Sequence, residues 1–315
     1  MWPFEKLAFD PTFGDPAARA LAAAGERGDW ATVRDGLTAV TDWDQREFYL
    51  CLAVEREGPQ PWIDEWIKAE PRSALPYLAK GRQQIVYAWE ARSTKLAKDV
   101  SQDQFAVFFR RLKLAEDALD EAATRDRDSP IAWSQRVVTA MGRQLGIGEA
   151  RHRFSEAIAR DRWNRGAHRN LLNQLHEKWS GQEGIGVDFA RQTVEDMPDG
   201  SELGMLVPEA YLQHAGRHDE GIDYLRRTGV IAELYAAGGR SVRHPAFQRR
   251  PGYQAAEGYF ALAFVFAGEF QAAATHLDAI GDLPAQDPWD SVRSYRGFRR
   301  EVYSRVGRRP LPSLF

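Results

Sequence analysis

The chain has 315 residues, more than one compact core requires and enough for two ordinary domains or one elongated repeat array. Hydrophobic residues make up 43 %, charged residues 28 %, and the formal net charge of −3 argues against a chain-wide nucleic-acid binder. The lone cysteine, Cys51, excludes an intrachain disulfide and a thiolate metal cluster, and its neighbours Leu50 and Leu52 mark it as a buried, unreactive thiol.

Strand signals are almost absent, and apolar residues recur at three- and four-residue spacing. The opening MWPFEKLAFDP lacks a basic stretch followed by an apolar run, so no signal peptide is expected, and 1–15 reads as an extension. Helices are expected near 16–27 and 29–41, then 44–57 and 61–69, with Pro71 ending that pair. A long helix starts near Ser73, with Pro76 in its first turn, and runs to about Lys98; its partner covers 103–126. Next come 131–144 with 148–161, 165–179 with 186–197, and 202–214 with 219–228. A short helix at 230–238 leads into SVRHPAFQRRPGY, where Pro245, Pro251 and Gly252 impose extended and turn geometry. The last pair is 254–267 with 270–280, and a basic helix covers 289–306. The longest strongly apolar stretch, Tyr259 to Ala267, falls far short of the roughly 20 residues that span a bilayer. No membrane partner is expected, and the cytoplasm is the default location.

The chain resembles itself. Gly28 to Val40, Leu145 to Ala157, Gly216 to Thr228 and Gly268 to Ile280 align without gaps. The third residue is large or ringed (Trp30, Ile147, His218, Phe270). The sixth is small or short (Val33, Ala150, Gly221, Ala273), and the tenth is large and apolar (Leu37, Phe154, Leu225, Leu277). Glycine ends one helix, a bulky residue fills the corner, and a small residue lets the antiparallel partner approach.

Within AEGYFALAFVFAGEFQAAATHLDAI, residues Ala261, Phe264, Gly268, Phe270, Ala273 and Leu277 carry the pattern most fully, and EAIARDRWN follows it with Arg162 at a position where proline is usual. On these residues the sequence resembles the tetratricopeptide repeat (TPR) family, in divergent repeats over roughly residues 16–280 with insertions between pairs. The resemblance implies an all-α fold of TPR-like stacked antiparallel helix pairs coiled into a curved α-solenoid. The array would span 16–287, interrupted by a crossover at about 229–253, and 288–315 would form a basic C-terminal capping helix and tail. The terminal helix carries the stripe Tyr295, Phe298, Val302 and Val306, suited to covering the last repeat. The tail also holds seven arginines against Asp290 and Glu301.

In that family the first helix of each pair lines a concave groove, and some members hold a peptide carboxylate with a basic residue and an asparagine one turn later. The matching positions here are Arg169 and Asn173, with Asn170 adjacent; the next pair offers Leu206 and Ala210, so the resemblance does not extend to a full clamp. Further candidates on neighbouring first helices are Arg82, Tyr87, Arg136 and Arg143. Trp89, bracketed by Glu90 and Arg92, reads as core or as groove wall. In the crossover the candidates are Arg243, His244, Arg249 and Arg250, with Phe247 as an anchor.

Catalytic motifs are missing. His214 and His218 have metal-compatible spacing, but Gly216 between them marks a helix end, and His218 aligns with the corner residues Trp30 and Phe270. His176 opens HEKWS, which lacks the second histidine of a zinc motif. GIGEA and GIGVD have neither the lysine nor the preceding strand of a phosphate loop. Glu116, Asp117, Asp120 and Glu121 read as a solvated face. No cofactor or metal is expected. The leading expectation is a non-enzymatic scaffold binding a peptide, a protein partner or its own copy. The alternatives are anion or nucleic-acid binding through the arginines of the crossover and tail, and a small-molecule or catalytic pocket within the superhelix.

Overall fold

A computed structural model describes residues 9–56, 58–92, 100–180 and 182–308. The fold is all-α, with no strand among the described residues. No described helix is long and apolar enough to cross a membrane. The chain divides into two compact units, one of residues 16–181 and one of residues 1–15 with 182–315.

The first unit holds α1 (Pro16–Arg27), α2 (Trp30–Thr38), α3 (Trp43–Val54), α4 (Pro61–Ala69) and α5 (Leu75–Arg92). It continues with α6 (Gln102–Arg125), α7 (Ile131–Gly142), α8 (Ile147–Arg160), α9 (Arg165–Leu175) and the single turn α10 (Glu177–Ser180). Local chemistry starts these helices where the sequence predicts. Asp42 accepts from the Gln45 amide at 2.9 Å ahead of α3, and Asn164 from the Ala167 amide at 2.8 Å ahead of α9. Ser101 and Gln104 form a reciprocal capping box on α6. The expected helix over 93–98 lies outside the described residues.

Helices α1 and α2, α5 and α6, and α7 and α8 pack as consecutive pairs, and the odd-numbered helices also touch one another from α1 through α9. Contact between α3 and α9 brings together elements far apart in sequence. There Asp44 Oδ1 accepts from the Arg165 amide at 2.9 Å and from Asn164 Nδ2 at 3.1 Å. The approach requires Gly166, because a Cβ at that position would stand 2.5 Å from Glu47 Oε2. In three of the four aligned segments the sixth residue (Val33, Ala150, Ala273) is fully buried.

The fourth segment departs from the expected helix over 219–228. Gly221 takes a φ of 57°, which keeps an α-helix from running through it from residue 219, and Gly221–Arg226 is a short 3-10 segment that begins at this glycine. It belongs to the second unit, with α11 (Ile185–Asp196), α12 (Leu206–Ala215), α13 (Thr228–Arg240), α14 (Tyr253–Ala267), α15 (Phe270–Ile280) and α16 (Val292–Arg305). The helix before the crossover thus runs longer than the expected 230–238. Helices α14 and α15 enclose a His276–Glu257 pair at 2.5 Å, its imidazole stacked on Phe260 and Phe264. Helix α16 packs on α15, burying Tyr295 and Val302, while Phe298 and Val306 are half-buried.

Gly297 sits in the middle of α16 on its exposed side. No described residue lies within 4 Å of the place its Cβ would take, and its φ is not positive. Gly297→Ala is therefore expected to raise stability by about 1 kcal/mol, the helix-propensity difference, seen as a higher thermal midpoint.

Candidate functional site

The first unit contains a cavity of about 510 Å³ built from the odd-numbered helices and α10. Helical spacing explains the wall. On α5, Arg82, Ile85 and Trp89 recur three and four apart, so one face of the helix reaches the cavity. On α7, Val138 and Met141 do the same, and on α9, Asn170 and Asn173. Glu55 enters from the end of α3, Glu90 from α5, and Lys178 with Trp179 from α10.

The apolar part centres on two indoles. Trp179 meets Trp89 edge-on with ring centroids 6.0 Å apart, and Trp89 meets Phe108 of α6 in the same way at 5.1 Å. Trp89 is thus both core and wall. The Arg92 guanidinium lies 5.6 Å from the Trp89 ring centre and 6.0 Å from that of Trp179. This corner exists because the expected helix over 165–179 breaks. His176 takes extended geometry (φ −59°, ψ 139°), and the chain re-enters a helical turn that carries Lys178 and Trp179.

The polar part hangs on one buried carboxylate. Arg82 Nη2 donates to Glu55 at 2.5 Å and Nη1 to Gln135 Oε1 at 3.3 Å. Gln135 donates onward to Glu47 Oε1, which also accepts from Ser134 Oγ at 3.3 Å. Asn170 Nδ2 donates to Ser134 O at 3.0 Å and Oγ at 3.1 Å. Two wall residues, Arg82 and Asn170, are therefore held through intermediaries on α7 by Glu47 of α3. Burial pushes the Glu47 carboxyl above the usual glutamate range, against the hydrogen bond from Gln135 and the charges of Arg82 and Arg165. Its Oε2 has no hydrogen-bond partner among the described residues. Cys51, one turn further along α3, is only partly covered by area. Enough protein surrounds its thiol, however, that burial pushes it up to about 12, as an unreactive thiol requires.

Of the candidates read from sequence, Arg82, Asn170 and Asn173 converge on this cavity. Tyr87 does not: it faces α6, where the Arg111 guanidinium lies 5.2 Å from its ring centre. Arg136 and Arg143 are also turned toward α6. They lie seven residues apart on a face of α7 different from that of Val138 and Met141, and pair with Asp120 (3.1 Å) and Glu116 respectively. Arg169 is half-buried and is not part of the wall. Arg243, His244, Arg249 and Arg250 belong to the second unit. The three arginines are exposed; Arg249 covers the Tyr253 ring at 5.4 Å, and His244 lies 3.7 Å from Asp199. Phe247 is half-buried against Tyr253. His218 packs on His214 with ring centroids 4.0 Å apart.

Glu116 corrects the expected solvated face. It is buried where α7 and α8 cover α6, and it pairs with Arg143 and with Arg153 at 2.5 Å. Sequence reasoning also missed Glu55, Lys178, Trp179 and the Glu47 hub. Only Lys178 and Trp179 carried a signal, since both fall within 165–179, a stretch already expected to line a groove.

No family model, curated protein or solved structure matches the chain.

Proposed function

We propose that this chain is a non-enzymatic, cytoplasmic interaction scaffold of TPR-like helix pairs, and that the first unit binds an extended peptide segment of a protein partner. The observation that carries this reading is the cavity on successive odd-numbered helices, which joins an apolar corner to amide and charged groups. An apolar side chain of the peptide would rest on Trp89, Trp179 and Met141. The exposed Asn173 amide can donate to and accept from a peptide backbone in the same place. Glu55, Glu90, Arg82 and Lys178 balance in sign, which suits a peptide of mixed charge better than a polyanion. The volume, about 510 Å³, lies within the range of pockets that hold small ligands, which leaves room for an apolar side chain. In this reading α16 caps the array.

Random peptides displayed against the purified chain test the proposal. Enrichment of a sequence family with an apolar anchor is expected. Asn173→Arg fills the polar rim from an exposed position and should weaken those peptides about tenfold without changing the thermal midpoint; Trp179→Ala should weaken them by a larger factor, as removal of an aromatic anchor does. Failure to enrich any sequence, or binding indifferent to both substitutions, would remove the proposal.

A further inference from the structure

The outer face of α16 gathers several arginines along one side of a single helix. Arg27, Arg110 and Arg151 stand singly on other helices with no carboxylate partner among the described residues, while other exposed arginines meet one, as Arg226 meets Asp223 at 2.8 Å. Part of the terminal segment also meets carboxylates: Arg299 reaches Asp282 at 2.7 Å, Arg305 lies 3.6 Å from Glu301, and Arg308 meets Asp278 at 2.7 Å. Arg293, Arg296 and Arg300 are exposed and have no carboxylate partner among the described residues. At about 100° per residue these three fall, with Gly297 and Ser304, inside roughly 100° of arc on the side away from Tyr295 and Val302. That arc carries no acid. Its three guanidiniums are spread over about 10 Å of helix axis.

We propose that this face docks an acidic helical segment of a protein partner, at a site separate from the cavity. Arg293, Arg296 and Arg300 are spaced three and four residues apart, the repeat at which a partner helix presents carboxylates along one side. Each guanidinium offers a planar fork that a carboxylate meets with two oxygens. Gly297 lies among them with no positive φ and no described residue packed where its Cβ would stand, so no described contact demands glycine there. A missing side chain at the centre of the stripe lets another backbone approach closely. A nucleic acid fits less well. The rings of α16, Tyr295, Phe298 and Tyr303, are buried or half-buried and offer no stacking platform on this face, and the chain as a whole carries a charge of −3.

Fluorescence anisotropy on the full chain at low salt tests this, with a labelled synthetic helix bearing glutamates at three- and four-residue spacing as the probe. The wild type is expected to bind, and the combined Arg293→Glu, Arg296→Glu and Arg300→Glu variant to bind about tenfold more weakly or worse. Gly297→Leu should weaken binding while raising the thermal midpoint, since leucine is the better helix former on an exposed face. A purely structural glycine would give the opposite pairing, lower stability with binding intact. Absence of wild-type binding, equal binding by the triple variant, or tighter binding of duplex DNA or of phosphatidylserine vesicles than of the acidic helix overturns the proposal.

Discussion

Replacing Glu116 with leucine is expected to lower the stability of the first unit by about 3–5 kcal/mol, the range for removing one partner of a buried ion pair. Glu116 lies inside a contact of three helices. Its carboxylate meets Arg153 of α8 at 2.5 Å, accepts from Thr139 Oγ1 of α7 at 3.0 Å, and pairs with Arg143 at the end of α7. The Arg153 side chain is only 5 % exposed. It also reaches Glu149 at 2.6 Å and donates to the Arg136 carbonyl at 2.8 Å, but Glu116 is the carboxylate that shares its burial. Leucine at 116 would leave that guanidinium with a more exposed counter-ion in a site closed to water. The loss should be read as a lower urea midpoint with an unchanged slope. Adding Arg153→Met to Glu116→Leu should recover a substantial part of it, because both members of the pair are then replaced by apolar groups of similar size. A double variant as unstable as the sum of the two single ones would show that the pair is not coupled.

The same residue shows what local sequence conveys and what it does not. Glu116, Asp117, Asp120 and Glu121 have the spacing of a solvated helix face. Asp117 and Glu121 do behave that way, each in an exposed pair with a neighbour on the same helix (Lys113, Arg125). Whether Glu116 is solvated depends on where α7 and α8 land, which no window along α6 contains. Helix positions were legible because their causes are local: Asp42, Ser101 and Asn164 cap, Pro76 lies in the first turn of a helix, and Gly28 and Gly268 end helices at positive φ. The candidate site was legible in part. Arg82, Asn170 and Asn173 follow from the idea that first helices face inward. Arg136 and Arg143 obey the same idea at the level of the helix and fail at the level of the face, since one step along α7 separates Gln135, aimed at Arg82 and Glu47, from Arg136, aimed at α6. The break at His176 was not legible, because HEKWS continues an acceptable helical pattern.

Glu47→Gln is expected to change how stability depends on pH. A carboxyl whose folded pKa lies above its unfolded one holds its proton more tightly in the native state. The contribution of Glu47 is therefore complete below the ordinary glutamate range, and it is lost as pH rises through the raised folded value. Above that window the native state contains a buried carboxylate with one oxygen unpartnered. Glutamine keeps the size and an acceptor for Gln135 while removing the charge. The variant should be more stable than the wild type above that window, because it buries no charge there, and the fall in stability across that window should vanish. Other carboxyls shift the opposite way. Thr32 holds Asp29 below its ordinary value, Arg153 does the same for Glu149, and at Glu70 burial is outweighed by Arg34 and Trp66 together. Their contribution is lost only as pH falls, so the two effects occupy different parts of the titration. Glu47→Leu separates charge from hydrogen bonding. It leaves Gln135 and Ser134 without their common acceptor and should destabilise by about 2–4 kcal/mol at every pH. If Glu47→Gln and the wild type lose stability in parallel as pH rises, the carboxyl is not the group that titrates. Because Gln135 and Ser134 connect Glu47 to Arg82 and Asn170, the same pair of variants reports on the cavity. Glu47→Gln should leave both wall residues in place, whereas Glu47→Leu should release them and weaken any ligand that depends on their positions.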